Sequence, residues 1–153
     1  KRAKHLAYHD TLTGLPNRAM LFERLRPELA KLGESYVAPN PMVGCVIVCD
    51  DEIVAEGYHE QYGNGHAEPN AIKQVGDEIL KKSTLYVTLE PCQMCAGALY
   101  WSQITKIVYG ATDEQRGYQK MGTQLHPKTT VVRGVLTNEA SELMKRFFAK
   151  KRK

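Results

Sequence analysis

The chain has 153 residues, enough for one domain and too few for two of ordinary size. With 42% hydrophobic and 25% charged residues it has the make-up of a folded protein, and no apolar run approaches the roughly 20 residues of a membrane-spanning helix. No secretion-signal core opens the sequence, so a cytoplasmic protein with no membrane contact is expected. Lysine and arginine outnumber the acids 21 to 17. Six of those cations crowd into the final K-R-F-F-A-K-K-R-K, and without them the body is slightly acidic. A polyanion is therefore expected at that end alone, at Lys145, Arg146, Phe147, Phe148, Lys150, Lys151 and Arg152.

In chain order, residues 18–32 place apolar side chains at helical spacing around Pro27, which starts or bends the helix, and Gly33 stops it. Residues 43–49 and 52–58 read as strands joined at Asp50-Asp51, a hairpin. Cys45 and Cys49 lie in the first of these and read as small core fillers, too far apart along a strand to bridge. A Gly/Asn loop then leads into a helix from about His66 to Val75. Strands are expected at 84–89, 105–110 and 129–135, with a helix at 92–102 between the first two. Tyr100 and Trp101 suit a core or dimer interface better than a base-stacking platform. A final helix runs from about Glu139 to the end. Two strands followed by alternating helix and strand imply an α/β sheet with helices on both faces.

Chemistry concentrates in His66-Ala67-Glu68 and Pro91-Cys92-Gln93-Met94-Cys95, each where the chain enters a predicted helix. Pro69 and Pro91 fit helix starts, and a helix N-terminus favours thiolate over thiol. One imidazole and two thiolates suit Zn²⁺, with a fourth position left for water, whose pKa the ion would bring toward about 7. Glu68 is placed to move protons without being a ligand. A closed structural site, with His59 or His126 as fourth ligand, is the alternative reading of the same residues. H-x-E followed by P-C-x-x-C is the signature of zinc-dependent nucleobase deaminases.

At these residues the sequence resembles the cytidine/deoxycytidylate deaminase superfamily over roughly residues 28–152. The resemblance implies a three-layer α/β/α fold around a five-stranded mixed sheet. It also implies zinc on His66, Cys92 and Cys95, proton transfer by Glu68, and a homodimer. The stretch T-L-Y-V-T-L-E-P-C-Q-M-C-A-G-A-L-Y-W-S-Q-I-T-K-I-V-Y-G is similar to tRNA-specific adenosine deaminases, as is the closing helix, which meets tRNA in that branch. A-P-N-P-M-V-G-C-V-I-V and E-G-Y-H instead resemble the deaminase of riboflavin biosynthesis, implying substrate contacts at Asn40 and His59, with Ala67 beside them. The tRNA branch usually carries Asn where this chain has His59. The D-E-Q-R-G-Y stretch (113–118) departs from the tRNA branch, and Asn70 is shared in setting with deoxycytidylate and guanine deaminases. The first expectation is therefore adenosine-to-inosine conversion at a tRNA wobble position. The alternative is a free base, nucleoside or nucleotide: guanine, cytosine, deoxycytidylate or the riboflavin-pathway aminopyrimidine. Residues 5–25 resemble the start of a diguanylate cyclase domain. The expected division is thus a leader over 1–26, with no cyclase activity, and the deaminase domain over 27–153.

Overall fold

A computed structural model describes residues 27–135 and 137–151; the 1–26 segment, with its cyclase-like motif, and Arg152 lie outside them. Ten elements follow one another: α1 (Pro27–Lys31), β1 (Gly44–Cys49), β2 (Glu52–Tyr58), α2 (Ala67–Ile72), α3 (Asp77–Leu80), β3 (Thr84–Leu89), α4 (Gln93–Ser102), β4 (Lys106–Ala111), β5 (Thr130–Val132) and α5 (Thr137–Lys151). The strands form one five-stranded sheet in the order β2-β1-β3-β4-β5. The β1 strand runs antiparallel to both neighbours, while β3, β4 and β5 are mutually parallel. This is the mixed sheet and α/β fold expected from the sequence.

The hairpin turns at Asp50 and Asp51, both with positive φ (51° and 63°), the two-residue geometry whose twist matches that of paired strands. Alternation along the strands then divides the core. Cys45, Ile47, Leu85, Val87, Ile107 and Tyr109 face α2 and α4 through Ala67, Ala71, Ala96 and Leu99. Val46, Val48, Tyr86 and Val108 face the opposite side with Leu29 of α1. Cys45 and Cys49 are buried free thiols in that sheet, as expected of fillers.

One glycine sets how near the sheet the catalytic helix can lie. A Cβ on Gly57 of β2 would fall 2.4 Å from the Ala67 carbonyl oxygen and 2.8 Å from the Ala71 nitrogen. Only the bare backbone lets α2 settle this close, and His66 and Glu68 are carried in with it.

Four expectations are corrected. The helix from 66 ends at Ile72, and a separate turn of helix occupies 77–80, too short for any periodicity to announce. The last strand stops at Val132, before Arg133 and Gly134, whose φ is +71°. Trp101 is 80% exposed, so it is no core residue. Phe147, expected at a nucleic-acid contact, is 1% exposed and packs with Ala30, Val37, Met42 and Leu143, with Phe148 half-buried beside it. Apolar area outweighs the cations around it, because burying an aromatic ring removes so much surface from water. Phe147→Ala is therefore expected to cost about 3–5 kcal/mol, measured as a fall in the urea midpoint. An unchanged midpoint together with weakened RNA binding would restore the surface role.

Candidate active site

His66 and Cys92 occupy equivalent places, each the N-cap of a helix and each with nearly the same backbone (φ −71°, ψ 173° and φ −72°, ψ 172°). The α2 and α4 helices thus start side by side above one sheet face. Cys95, one turn into α4, points a third donor at the same spot. Its Sγ lies 3.4 Å from His66 Nδ1, and Cys92 Sγ lies 3.5 Å from the same nitrogen. A tetrahedral zinc ion, with bonds of about 2.1 Å to nitrogen and 2.3 Å to sulfur, separates such ligands by roughly 3.6 Å. The three side chains fit the ion as they stand. Their ligating atoms all fall within 4.8 Å of one another, and among the described residues this is the group of His, Cys, Asp and Glu side chains so arranged. Neither His59 nor His126 belongs to it.

The charge pattern agrees. A hydrogen bond from the Cys95 thiol, with His66 assisting, holds Cys92 well below the ordinary thiol range, which favours its thiolate. The same bond and burial push Cys95 upward, and the bond to Cys92 raises His66. Glu68, 3% exposed, is carried up to about 7, chiefly by burial. A carboxyl group that exchanges its proton near neutrality suits acid and base work in one cycle.

Beside the ligands stands His59, 2% exposed, its ring edge-on to His66 with centroids 5.0 Å apart. Its Nδ1 lies 3.1 Å from the Gly65 carbonyl oxygen, which can only accept, so Nδ1 carries the proton. Nε2 is then left to accept from Asn40 Nδ2, 3.3 Å away. Asn70 donates to the carbonyls of Tyr58 and Gly65 at 3.0 and 3.1 Å, tying the loop between β2 and α2. Asn40, His59, His66, Glu68 and Cys92 line a single pocket. Ala67 is wholly buried against the sheet.

Sequence reading missed the three charged residues Glu90, Asp113 and Arg116 of this pocket, along with its apolar lining. Glu90 Oε2 accepts from the Gln119 backbone N–H at 3.2 Å, while its buried Oε1 has no partner among the described residues. The only local signal was its place just before Pro91-Cys92; the turn it holds is distant in sequence. Of the basic C-terminal set, Lys145 pairs with Glu142 at 3.8 Å and Lys150 with Glu34 at 3.0 Å. Arg146 is exposed, and the Lys151 side chain lies outside the description.

Comparison with known proteins agrees with this geometry. Residues 22–111 match the family model described as the cytidine and deoxycytidylate deaminase zinc-binding region. A diaminohydroxyphosphoribosylamino-pyrimidine deaminase from Buchnera aphidicola (subsp. Schizaphis graminum) is 38% identical over 133 residues, 82% of this chain and 90% of that protein. Among solved structures, a diaminohydroxyphosphoribosylaminopyrimidine deaminase/5-amino-6-(5-phosphoribosylamino)uracil reductase from Thermotoga maritima superposes with a TM-score of 0.71 at 33% identity. That match covers 86% of this chain and 41% of the larger one. A tRNA:A34 deaminase, described as editing A to I at the wobble position, superposes with a TM-score of 0.65 at 27% identity, covering 81% of this chain and 99% of its own. The relatives by sequence thus favour the aminopyrimidine over tRNA, which enters through a structural neighbour. The chain belongs to the cytidine and deoxycytidylate deaminase family, zinc-dependent enzymes that hydrolyse an amino group from a nucleobase.

Proposed function

We propose that the chain deaminates an aminopyrimidine bearing a phosphoribosylamino arm, the substrate class its relatives are named for. The observation that carries this reading is His59, buried against His66 with both ring nitrogens committed and Asn40 behind it. That hydrogen-bonded chain fixes Asn40 on the pocket wall with one amide N–H committed to His59, leaving its carbonyl oxygen to accept from the amino groups of such a ring.

His66 Nδ1, Cys92 Sγ and Cys95 Sγ would hold zinc, which supplies the Lewis acidity that makes water a nucleophile at neutral pH. Glu68 takes a proton from the attacking water as its oxygen bonds to the amino-bearing ring carbon. It passes that proton to the adjacent ring nitrogen, then carries the second proton of the same water from the new hydroxyl to the amino group. The C–N bond then breaks, a carbonyl forms and ammonia leaves. The buried pocket keeps bulk water from Glu68 between these transfers.

Adenosine in tRNA is a second reading, favoured by the compact C-Q-M-C and by the structural neighbour. A homodimer also belongs to this proposal, with Met94 and Trp101, 60% and 80% exposed on α4, as its surface. No helix among the described residues is long and apolar enough to cross a membrane.

Ammonia release from the aminopyrimidine ribotide, tRNA, adenosine, guanine, cytidine and deoxycytidylate tests the choice. The ribotide is expected to turn over fastest; preference for tRNA would reverse the reading. Asn40→Ala should raise KM for the ribotide about tenfold, the value of one or two lost hydrogen bonds, while kcat changes less. An unchanged KM would remove Asn40 from the substrate's contacts.

A further inference from the structure

The pocket does not end at the metal ligands. Pro41, Leu89, Asp113 and Arg116 line it and also line a second, open groove that runs along α5 past Ser141 and Lys145. The two ends differ in charge. The inner end carries the carboxyl groups of Glu68 and Glu90 and no lysine or arginine; the junction carries the guanidinium of Arg116 beside Asp113, and the groove beyond carries Glu114 and the ammonium of Lys145, which also pairs with Glu142 at 3.8 Å.

The turn that presents Arg116 is built, not loose. Asp113 Oδ1 accepts from the backbone N–H groups of Gln115 and Arg116 at 3.0 and 2.9 Å. Tyr118 N–H donates to the Pro91 carbonyl at 2.9 Å, and Gly117 pairs with Cys92 across a bridge. A Cβ on Gly117 would fall 2.0 Å from Glu90 Oε2, so the turn lies flush on the segment that supplies the metal ligands. The Asp113 carboxylate is occupied in shaping that turn. The exposed Arg116 side chain has no ion pair among the described residues. Glu114, on the same turn, is exposed and also lines the groove. A permanently charged, forked donor held at the mouth of a pocket is the usual partner of a phosphate.

We infer that Arg116, with Lys145 across the groove, binds the phosphate monoester of a ribotide whose base lies at Glu68 and the metal ligands. The inference rests on the pyrimidine reading above and makes that substrate's phosphate a requirement for tight binding. It also assigns the junction cation to a small phosphorylated ligand and not to an RNA backbone.

The zinc-loaded full chain and its Arg116→Ala and Arg116→Lys variants are assayed on the ribotide and on the same compound without its phosphate. Loss of a charged hydrogen-bond pair should raise KM for the ribotide about 10–100-fold in Arg116→Ala, with the dephosphorylated compound within about twofold of wild type and Arg116→Lys in between. Equal loss on both compounds would overturn the inference, as would a wild type that treats them alike. Calorimetric binding of ribose 5-phosphate needs no turnover and separates this inference from the substrate reading. Binding by wild type and not by Arg116→Ala upholds the phosphate site even if the ribotide proves not to be the substrate. Equal binding by both, binding by neither, or an Arg116→Ala defect confined to RNA overturns it.

Discussion

Glu68→Gln is expected to lower kcat by about 10²–10⁴-fold, the usual worth of a positioned acid–base group, while zinc stays bound at wild-type stoichiometry. Glutamine keeps the shape of the side chain that α2 delivers beneath the pocket, and it can neither accept the water's proton nor return it. Because Glu68 is outside the His66–Cys92–Cys95 cluster, metal content should not follow activity. KM should stay close to wild type, since the lost interactions are made with protons in transit and not with the resting substrate. Turnover within tenfold of wild type would show that another group moves the protons; loss of zinc along with activity would make Glu68 a ligand. Glu68→Gln also removes a buried carboxyl group that burial already penalises as an anion, so thermal stability is expected to hold or rise.

The sequence revealed most about what is local. The β3 strand was legible to the residue, because T-L-Y-V-T-L is a buried β run bounded by Ser83 and the polar Glu90-Pro91. The two Asp residues that reverse the chain gave the hairpin. His66, Glu68, Cys92 and Cys95 were legible because helix starts, prolines and spacing all agreed. The two phenylalanines of the basic end misled, though their true pattern was there to read. Ala140, Leu143, Met144, Phe147 and Phe148 fall at i, i+3, i+4, i+7 and i+8, the stripe of a helix facing a core. The cations lie on the remaining faces, where Lys145 and Lys150 meet glutamates. What no local pattern holds is the pocket's far wall. Glu90, Asp113 and Arg116 come together only because the 113–118 turn folds back across α4's start through the Gly117–Cys92 bridge. Arg116, the proposed phosphate contact, lies on that wall, so the chemistry was plainer in the sequence than the compound it acts on.

His66→Ala should weaken zinc binding by well over the 10–100-fold that follows loss of a group merely supporting a ligand, and ammonia release should fall to background. Cys92→Ser is the sharper variant. It keeps an oxygen almost where the sulfur was, but removes the sulfur whose ionisation Cys95 and His66 favour. Zinc favours soft sulfur and imidazole in this arrangement, so serine should fail to restore loading at stoichiometric metal. Loading of every variant should weaken as pH falls, because each ligand must shed its proton to bind. The metal also ties two helix starts to one point, which links occupancy to stability. At a thousandfold excess over the dissociation constant, binding adds about 4 kcal/mol to the folded state, or roughly 10 °C in Tm for a chain of this size. A chelator should therefore lower the wild-type Tm by about that much and leave His66→Ala unmoved. Metal content measured by mass spectrometry beside the melting curve decides it. A His66→Ala protein that still carries one zinc per chain would mean a different ligand set, and the role given to the α2 and α4 starts would fall.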